Sequence, residues 1–179
     1  MIDYHLISKC IKKYEDLGYK YIDVPWFTTE KIVNITLPPG KKAFHINGDY
    51  LVGSAEQSFL HLIINHDLKN GKYVAATPCF RDDEIDEYHQ KCFFKIELIN
   101  YSNSYRFDNF DLMNIISDAQ TTLSSLTSKT IESLKTNSGV DLTINNVEIG
   151  SYGIRRFSNF NWIYGTGLAE PRFSSLNNE

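Results

Sequence analysis

The segment CFRDDEIDEYHQKCFFKIE, residues 79–97, joins two apolar stretches through a loop that is crowded with charge. It steps from Phe80 to Arg81, passes through a run of carboxylates to His89, and ends in an alternating stretch at 93–99. This pattern predicts a β-hairpin whose mouth concentrates ionisable groups. A hairpin that only had to turn would use a short pair such as Asn-Gly. The charged loop is therefore interpreted as a site.

Apolar residues at helical or alternating spacing predict regular structure on both sides of the hairpin. Gly18 is a favourable end for the first helix, and Pro25 ends the strand that follows or marks a sheet edge. The order of elements predicts an α+β fold with a mainly antiparallel sheet flanked by helices, in a single domain spanning residues 1–179. The predicted elements are helices at 3–17, from Ser54 to near Asn70 and at 110–135, with a break near Thr127 as an alternative for the last. A loop is predicted at 100–109, and strands at 19–24, 50–52, 73–77, 93–99, 140–144, 146–150, 153–157 and 161–164.

Composition and charge narrow the class of protein. The 179 residues are 42% hydrophobic and carry a formal net charge of −4, which argues against broad nucleic-acid binding through clustered lysine and arginine. The three cysteines have no paired spacing, so a reducing, cytoplasmic location is expected. No stretch approaches the roughly 20 apolar residues that span a bilayer, so no membrane association is expected.

Three separated segments resemble the motifs of class II aminoacyl-tRNA synthetases. Residues 18–25, which follow a helix, resemble the first motif, a dimer-interface helix and strand that end in a proline. Residues 80–93, from Phe80-Arg81 through His89 to Phe93, resemble the second motif, especially that of phenylalanyl and aspartyl enzymes. Residues 165–172 resemble the glycine-rich third motif and its final arginine. The resemblance implies the catalytic core of such an enzyme.

A fourth segment and three departures refine this resemblance. Residues 54–57, Ser-Ala-Glu-Gln, resemble the seryl-type loop that holds the ammonium group of an amino acid. Pro171 stands where the third motif has an acid, with Glu170 beside it, and Asp83 replaces the glutamate of the second motif. No segment resembles an anticodon-binding domain, so the expectation is a stand-alone catalytic core.

The resemblance implies that ATP binds between the second and third motifs. Arg81 would bridge the α-phosphate and the carboxylate of the amino acid, and Arg172 would contact the γ-phosphate; these two are the expected catalytic residues. His89 would add a donor to the phosphate tail, and Phe93 would stack on adenine with Arg172 on the other face. Asp83 completes the expected ATP-binding set within the hairpin.

The remaining expected contacts concern magnesium and the amino acid. Magnesium would shield the triphosphate through Glu148, with Asp83 and Glu84 as lesser candidates. Small residues of the third motif are expected where its backbone passes close to the ligand. The expected amino-acid site consists of Ser54, Glu56, Lys95 and Glu97, the last two because strand alternation points them the same way as Phe93.

These assignments lead to one expected function and several alternatives. The expected function is ATP-dependent activation of an amino acid to an aminoacyl-adenylate by a homodimer formed through residues 3–25, with transfer to tRNA or another acceptor, such as a carrier protein or a small molecule. The alternatives are a catalytically silent paralogue that binds nucleotide or amino acid as a partner subunit, and a tRNA-binding fragment of a split synthetase. Individual residues also have simpler interpretations. Arg81 and Asp83 could form a surface ion pair, and Glu56 could do no more than stabilise the N-terminus of its helix. Arg155 and Arg156 could be two exposed basic residues at a strand end. The sequence leaves the identity of the amino acid open.

Overall fold

A computed structural model, which describes residues 1–178, has one large sheet between helices. The helices are α1 (Tyr4–Asp16), α2 (Glu30–Thr36), α3 (Ala55–Ile64), α4 (Asn109–Ser124) and α5 (Arg172–Asn178). The strands are β1 (Lys20–Tyr21), β2 (Phe27–Thr28), β3 (His45–Ile46), β4 (Asp49–Leu51), β5 (Gly71–Phe80), β6 (Cys92–Ser102), β7 (Glu132–Lys135), β8 (Val140–Ile144), β9 (Val147–Phe157) and β10 (Phe160–Glu170).

The large sheet has seven strands in the order β1-β5-β6-β10-β9-β8-β7, and a small sheet has the order β2-β4-β3. In the large sheet β1 runs parallel to β5, and the other pairs are antiparallel. The predicted α+β fold with a mainly antiparallel sheet is confirmed. The predicted hairpin is also present, because β5 pairs with β6 from Gly71 to Phe80 and residues 81–91 form its loop.

Alternation along the strands of the large sheet separates two packing faces. Ile96 and Leu98 of β6 belong to the core that includes buried residues of α1 and α4. Ile99 belongs to the second core, which includes Phe59 and Trp162 on the side of α3. Lys95 and Glu97 alternate with the first pair, so they lie on the α3 side together with the candidate site.

Several element boundaries differ from those predicted. The helix predicted over residues 110–135 ends at Ser124, and residues 132–135 form the edge strand β7. Residues 127–130 are Thr-Ser-Lys-Thr, in which threonine and serine favour helix less than the residues before them, and β7 gains ladder hydrogen bonds with β8. Helix α3 ends at Ile64 and not near Asn70, while β6 extends to Ser102 into the predicted loop. The two strands predicted over residues 146–157 are one continuous strand, β9.

The glycines of the third motif face the opposite side of the sheet from the candidate site. A Cβ at Gly165 would lie 2.6 Å from the ring of Tyr152, and one at Gly167 would lie 2.6 Å from Cγ2 of Ile96. The hydroxyl of Tyr14 also donates to the carbonyl of Gly167 at 2.9 Å. These glycines therefore make room for core side chains, whereas Ala169, the other small residue of this motif, lines the cavity. In residues 1–178 no helix is both long and apolar enough to cross a membrane.

Candidate active site

A cavity of about 360 Å³ opens on the α3 side of the large sheet. Its walls come from the start of α3, the hairpin loop, strands β9 and β10, the end of α2 and the segment that follows it. Glu97 is buried behind this wall, where it contacts Ser54 and Lys95. Glu84, a lesser magnesium candidate, is not among the lining residues. The other predicted site residues line the cavity: Ser54, Glu56, Arg81, Asp83, His89, Phe93, Lys95, Glu148 and Arg172.

Arg81, the first residue after β5, is held in a fixed position at the cavity wall. Its Nε donates to the carbonyl oxygen of Gly53 at 2.8 Å, just before α3. Its guanidinium carbon lies 5.1 Å from the ring centroid of Phe93, a cation–π distance. Arg81 therefore joins the hairpin to the α3 N-terminus, and it covers a face of the aromatic ring that the sequence assigned to adenine.

The hairpin loop is folded around Asp86, which the sequence left without a role. Its carboxylate accepts hydrogen bonds from the backbone N–H groups of Tyr88 at 2.8 Å and His89 at 2.6 Å. Nδ1 of His89 lies 2.8 Å from the same carboxylate, and this contact is the main reason that the pKa of Asp86 is lowered. Asp86 thus orients His89, whose side chain lines the cavity.

Asp83 connects the hairpin loop to the segment that follows α2. Its carboxylate accepts from Nζ of Lys41 at 2.6 Å, and that hydrogen bond lowers the pKa of Asp83. The ion-pair partner of Asp83 is therefore Lys41, and the Arg81–Asp83 surface ion pair considered from the sequence is not formed. Sequence reasoning missed Lys41, because residues 28–48 carry weak local signals and lie far from the hairpin in the chain.

Arg172 connects the hairpin loop to the start of β9. Its Nε donates to the carbonyl of Tyr88 at 3.1 Å, and its Nη1 donates to the carbonyl of Glu148 at 3.0 Å. Its Nη1 also lies 4.0 Å from the Glu148 carboxylate. Burial lowers the pKa of Arg172, an effect that Glu148 opposes. The structure therefore places Arg81, His89 and Arg172 around one opening.

The acid beside Pro171 serves the helix that follows. The carboxylate of Glu170 accepts from the backbone N–H of Ser174 at 3.1 Å and from its hydroxyl at 2.8 Å. It also accepts from the backbone N–H of Asp3 at 3.4 Å, at the start of α1. Burial raises the pKa of Glu170. Glu170 therefore fixes the ends of two helices.

A buried network joins Ser54, Lys95 and Glu97 at the inner end of the cavity. The hydroxyl of Ser54 caps α3 by accepting from the backbone N–H of Glu56, and it donates to Glu97. Nζ of Lys95 pairs with Oε2 of Glu97 at 2.8 Å. Oε1 of Glu97 is buried and has no hydrogen-bond partner within residues 1–178. Behind the cavity wall, Glu97 therefore keeps one carboxylate oxygen without a hydrogen-bond partner among the described residues, next to the cation of Lys95.

Glu56 makes contacts that the sequence did not indicate. Its Oε1 accepts from the indole N–H of Trp162 at 2.7 Å, and its Oε2 accepts from Nη1 of Arg155 at 2.6 Å. The guanidinium of Arg155 lies 4.2 Å from the ring centroid of Tyr164. Burial raises the pKa of Glu56 and Arg155 opposes this rise. Glu56 thus does more than serve its helix N-terminus.

Arg155 and Arg156 have different surroundings, so they do not form one exposed basic step. Strand alternation puts Arg155 on the face of Ser151 and the cavity, whereas Arg156 is exposed and borders another depression beside Arg106. The period-two pattern of β9 could have separated these two arginines. The partner of Arg155 could not be found from the sequence, because Glu56 is 99 residues away in the chain.

The donor set at the cavity suits a magnesium ion that is carried by phosphates. Glu148 lines the cavity with a half-exposed carboxylate, and residues 1–178 contain no group of three or more His, Cys, Asp or Glu side chains that could hold a metal alone. Magnesium commonly uses one or two carboxylates and completes its shell with phosphate oxygens and water. Glu148 fits that pattern.

Comparison with known proteins identifies structures that share this fold. No family model matches this chain, and no curated protein matches its sequence. Two solved structures of pyrrolysyl-tRNA synthetase from Desulfitobacterium hafniense superpose with TM-scores of 0.76 and 0.77; both are 13% identical, and the match covers 97% of this chain and 68% of each. A cytoplasmic serine-tRNA ligase from Naegleria fowleri, solved in complex with AMP, superposes with a TM-score of 0.73 at 16% identity, over 96% of this chain and 52% of the ligase. At these identities the similarity is one of fold, and the fold is that of class II synthetase catalytic domains.

Proposed function

We propose that this chain activates an amino acid with ATP to form an aminoacyl-adenylate. The observation that carries the proposal is that one cavity is lined both by cations suited to a triphosphate, Arg81 and Arg172, and by the carboxylate of Glu56. Adenylation needs cations because it brings two anions together, the carboxylate of the amino acid and the α-phosphate of ATP. It also needs a carboxylate, because the ammonium group of the amino acid must be held. The shared fold with synthetases, one of them solved with AMP, supports the same reaction class.

The proposed chemistry is a displacement at the α-phosphorus of ATP. An oxygen of the amino acid carboxylate forms a bond to phosphorus while the bond to the bridging oxygen breaks and pyrophosphate leaves. Arg81 would donate to the α-phosphate and the attacking carboxylate, and its bond to Gly53 keeps the guanidinium in place. Arg172 and His89 would neutralise the leaving pyrophosphate, and magnesium held by Glu148 would supply further charge stabilisation.

The proposed amino-acid contacts lie at the inner end. Glu56, which lines the cavity, would accept a hydrogen bond from the ammonium group through a remaining lone pair of its carboxylate, and Glu97, buried behind the wall, would hold Ser54 and Lys95 in place. Ser54 and Lys95 would define the cavity surface between them. Phe93 would provide the aromatic surface for adenine, and Asp83 would help to position the loop that covers the nucleotide through its pair with Lys41.

Exchange of labelled pyrophosphate into ATP, measured separately with each of the standard amino acids, tests this proposal. We expect magnesium-dependent exchange with one amino acid or a small related group, because labelled pyrophosphate re-forms ATP from the aminoacyl-adenylate of that amino acid. A folded protein, verified by circular dichroism, that supports exchange with none of them would contradict the proposal.

A second candidate is a catalytically silent paralogue that binds nucleotide or amino acid. The observation that favours it is the engagement of Glu170 by Ser174 and Asp3, which takes this acid into a structural role beside Pro171. Calorimetry that shows ATP binding without exchange would select this candidate. If exchange occurs, the acceptor of the adenylate is proposed to be tRNA or another carrier, and transfer of label to total tRNA distinguishes the two. Co-purification of a second chain would instead indicate a split synthetase.

We further propose that the chain forms a homodimer through the region of residues 3–25. The supporting observation is an apolar groove on this side, lined by Tyr4, Tyr21, Trp26 and Phe94, of which the first three are exposed. Sedimentation equilibrium is expected to give twice the chain mass, and Trp26→Ser is expected to weaken the association by roughly tenfold or more through loss of an exposed aromatic side chain of the groove. A monomer at micromolar concentration would contradict this proposal.

A further inference from the structure

We infer that the inner end of the cavity selects an amino acid whose side chain is uncharged and presents an acceptor oxygen, and that Arg155 is the residue that recognises it. This inference rests on the proposed adenylation, because it names the substrate class of the same site. A carboxamide or a hydroxyl group has the required chemistry.

Arg155 is held as a preformed donor on the cavity wall. Glu56 accepts a hydrogen bond from its Nη1 at 2.6 Å, and its guanidinium carbon lies 4.2 Å from the ring centroid of Tyr164. A guanidinium has several N–H donors in a fixed planar arrangement, so an arginine that pairs through Nη1 still has donors to offer. Its side chain is 37% exposed, whereas that of Glu56 is 6% exposed. Both residues line the cavity, and the arginine is the more exposed of the two, so its remaining donors can reach the side chain of a ligand.

The charges at this end of the cavity are already matched. Arg155 pairs with Glu56, and Lys95 pairs with Glu97 at 2.8 Å, so two cations face two carboxylates. An acidic or basic side chain placed between these pairs would be buried without a counterion of its own, which is costly. The matched charges therefore disfavour a charged side chain.

Polar groups at the cavity surface also disfavour an apolar side chain. Arg155, Lys95 and the hydroxyl residues Ser151 and Thr166 line this region. An apolar side chain would remove water from these groups and return no hydrogen bond, and a site built for hydrogen bonding rejects such analogues strongly. An uncharged side chain with an acceptor oxygen satisfies both conditions.

Amino acids of matched shape but different chemistry test the inference in the wild-type protein. Asparagine, aspartate and leucine form one set, glutamine, glutamate and methionine a second, and threonine and valine a third. In at least one set the uncharged polar member is expected to give roughly tenfold or more higher kcat/KM in pyrophosphate exchange. Lysine and arginine are assayed beside these sets, and preference for an acidic, basic or apolar amino acid would overturn the inference while leaving adenylation intact.

Two substitutions assign the discrimination to Arg155. Arg155→Lys keeps a cation for Glu56 but loses the planar donor arrangement, so discrimination within the preferred set should fall by roughly tenfold. Arg155→Met removes the donors and the charge, and its melting temperature is measured alongside because it leaves Glu56 buried without its cation. Arg156→Met, at the adjacent exposed residue on the other face of β9, is the matched control and should keep wild-type discrimination. Unchanged discrimination in Arg155→Lys would overturn the role of Arg155.

Calorimetry of the same amino acids, with a non-hydrolysable ATP analogue present, separates this inference from the proposed function. Binding in the expected order without any exchange would contradict adenylation and support the selectivity. The absence of binding by every polar uncharged amino acid would overturn the selectivity.

Discussion

Replacing Arg81 with alanine is expected to reduce pyrophosphate exchange by roughly 10²–10³-fold, the effect of removing a preorganised donor from a developing anion. The structure gives a specific reason for this size. Arg81 is fixed by the Gly53 carbonyl at 2.8 Å and by the ring of Phe93, so its guanidinium is oriented before ligand arrives. The rate at saturating ATP and amino acid measures the effect, because loss of a transition-state contact lowers kcat.

Two further variants make the Arg81 experiment specific. Arg81→Lys keeps the charge but not the paired N–H groups, so its activity should lie between those of the alanine variant and the wild type. Arg156→Ala removes an exposed arginine outside the cavity and should leave exchange unchanged. An Arg81→Ala protein with wild-type melting temperature and undiminished exchange would remove the hairpin from the proposed chemistry.

Replacing Lys95 with methionine is expected to lower the free energy of unfolding by about 3–5 kcal/mol, the usual cost of leaving a buried charge unpaired. Nζ of Lys95 lies 2.8 Å from Glu97, and the two side chains are 12% and 1% exposed. Methionine keeps most of the apolar volume of the lysine side chain, so the loss of stability is due to removal of the positive charge. Urea denaturation with a two-state fit measures the change.

A double-mutant cycle and a surface control support this interpretation. Lys95→Met combined with Glu97→Gln removes both charges while Ser54 keeps an acceptor, so the double variant should be more stable than Lys95→Met alone. The Lys12–Asp16 pair has the same 2.8 Å separation but lies on the exposed face of α1. Lys12→Met should therefore leave the urea midpoint nearly unchanged. Equal effects of the two lysine substitutions would contradict a burial-based cost.

The parts of the fold that follow from local patterns could be predicted from the sequence. Apolar spacing in α1 and alternation in β5 and β6 each lie within one element, so periodicity indicates their type. The end of α4 was missed because residues 125–135 continue an approximately helical apolar spacing, and their pairing with β8 depends on residues beyond a turn. When a segment gains its backbone hydrogen bonds from a partner strand, its own residue pattern is not enough to predict that it forms a strand.

The contacts that organise the cavity could not be predicted for a related reason. Trp162 is 106 residues from Glu56, and Lys41 is 42 residues from Asp83. Each residue taken alone resembles an ordinary core or surface residue. The resemblance to synthetase motifs indicated the residues that the structure brings to the cavity, but it indicated nothing about Arg155 or Lys41, which lie outside those motifs.

The pairing of Glu56 with Trp162 and Arg155 also sets an order on assembly during synthesis. The helix that carries Glu56 is made early, but both donors to its carboxylate belong to β9 and β10. A nascent chain that has passed residue 100 already contains Arg81, Lys95 and Glu97, yet its Glu56 has neither donor. The cavity can therefore be completed only after the ribosome has released the strand that contains Trp162.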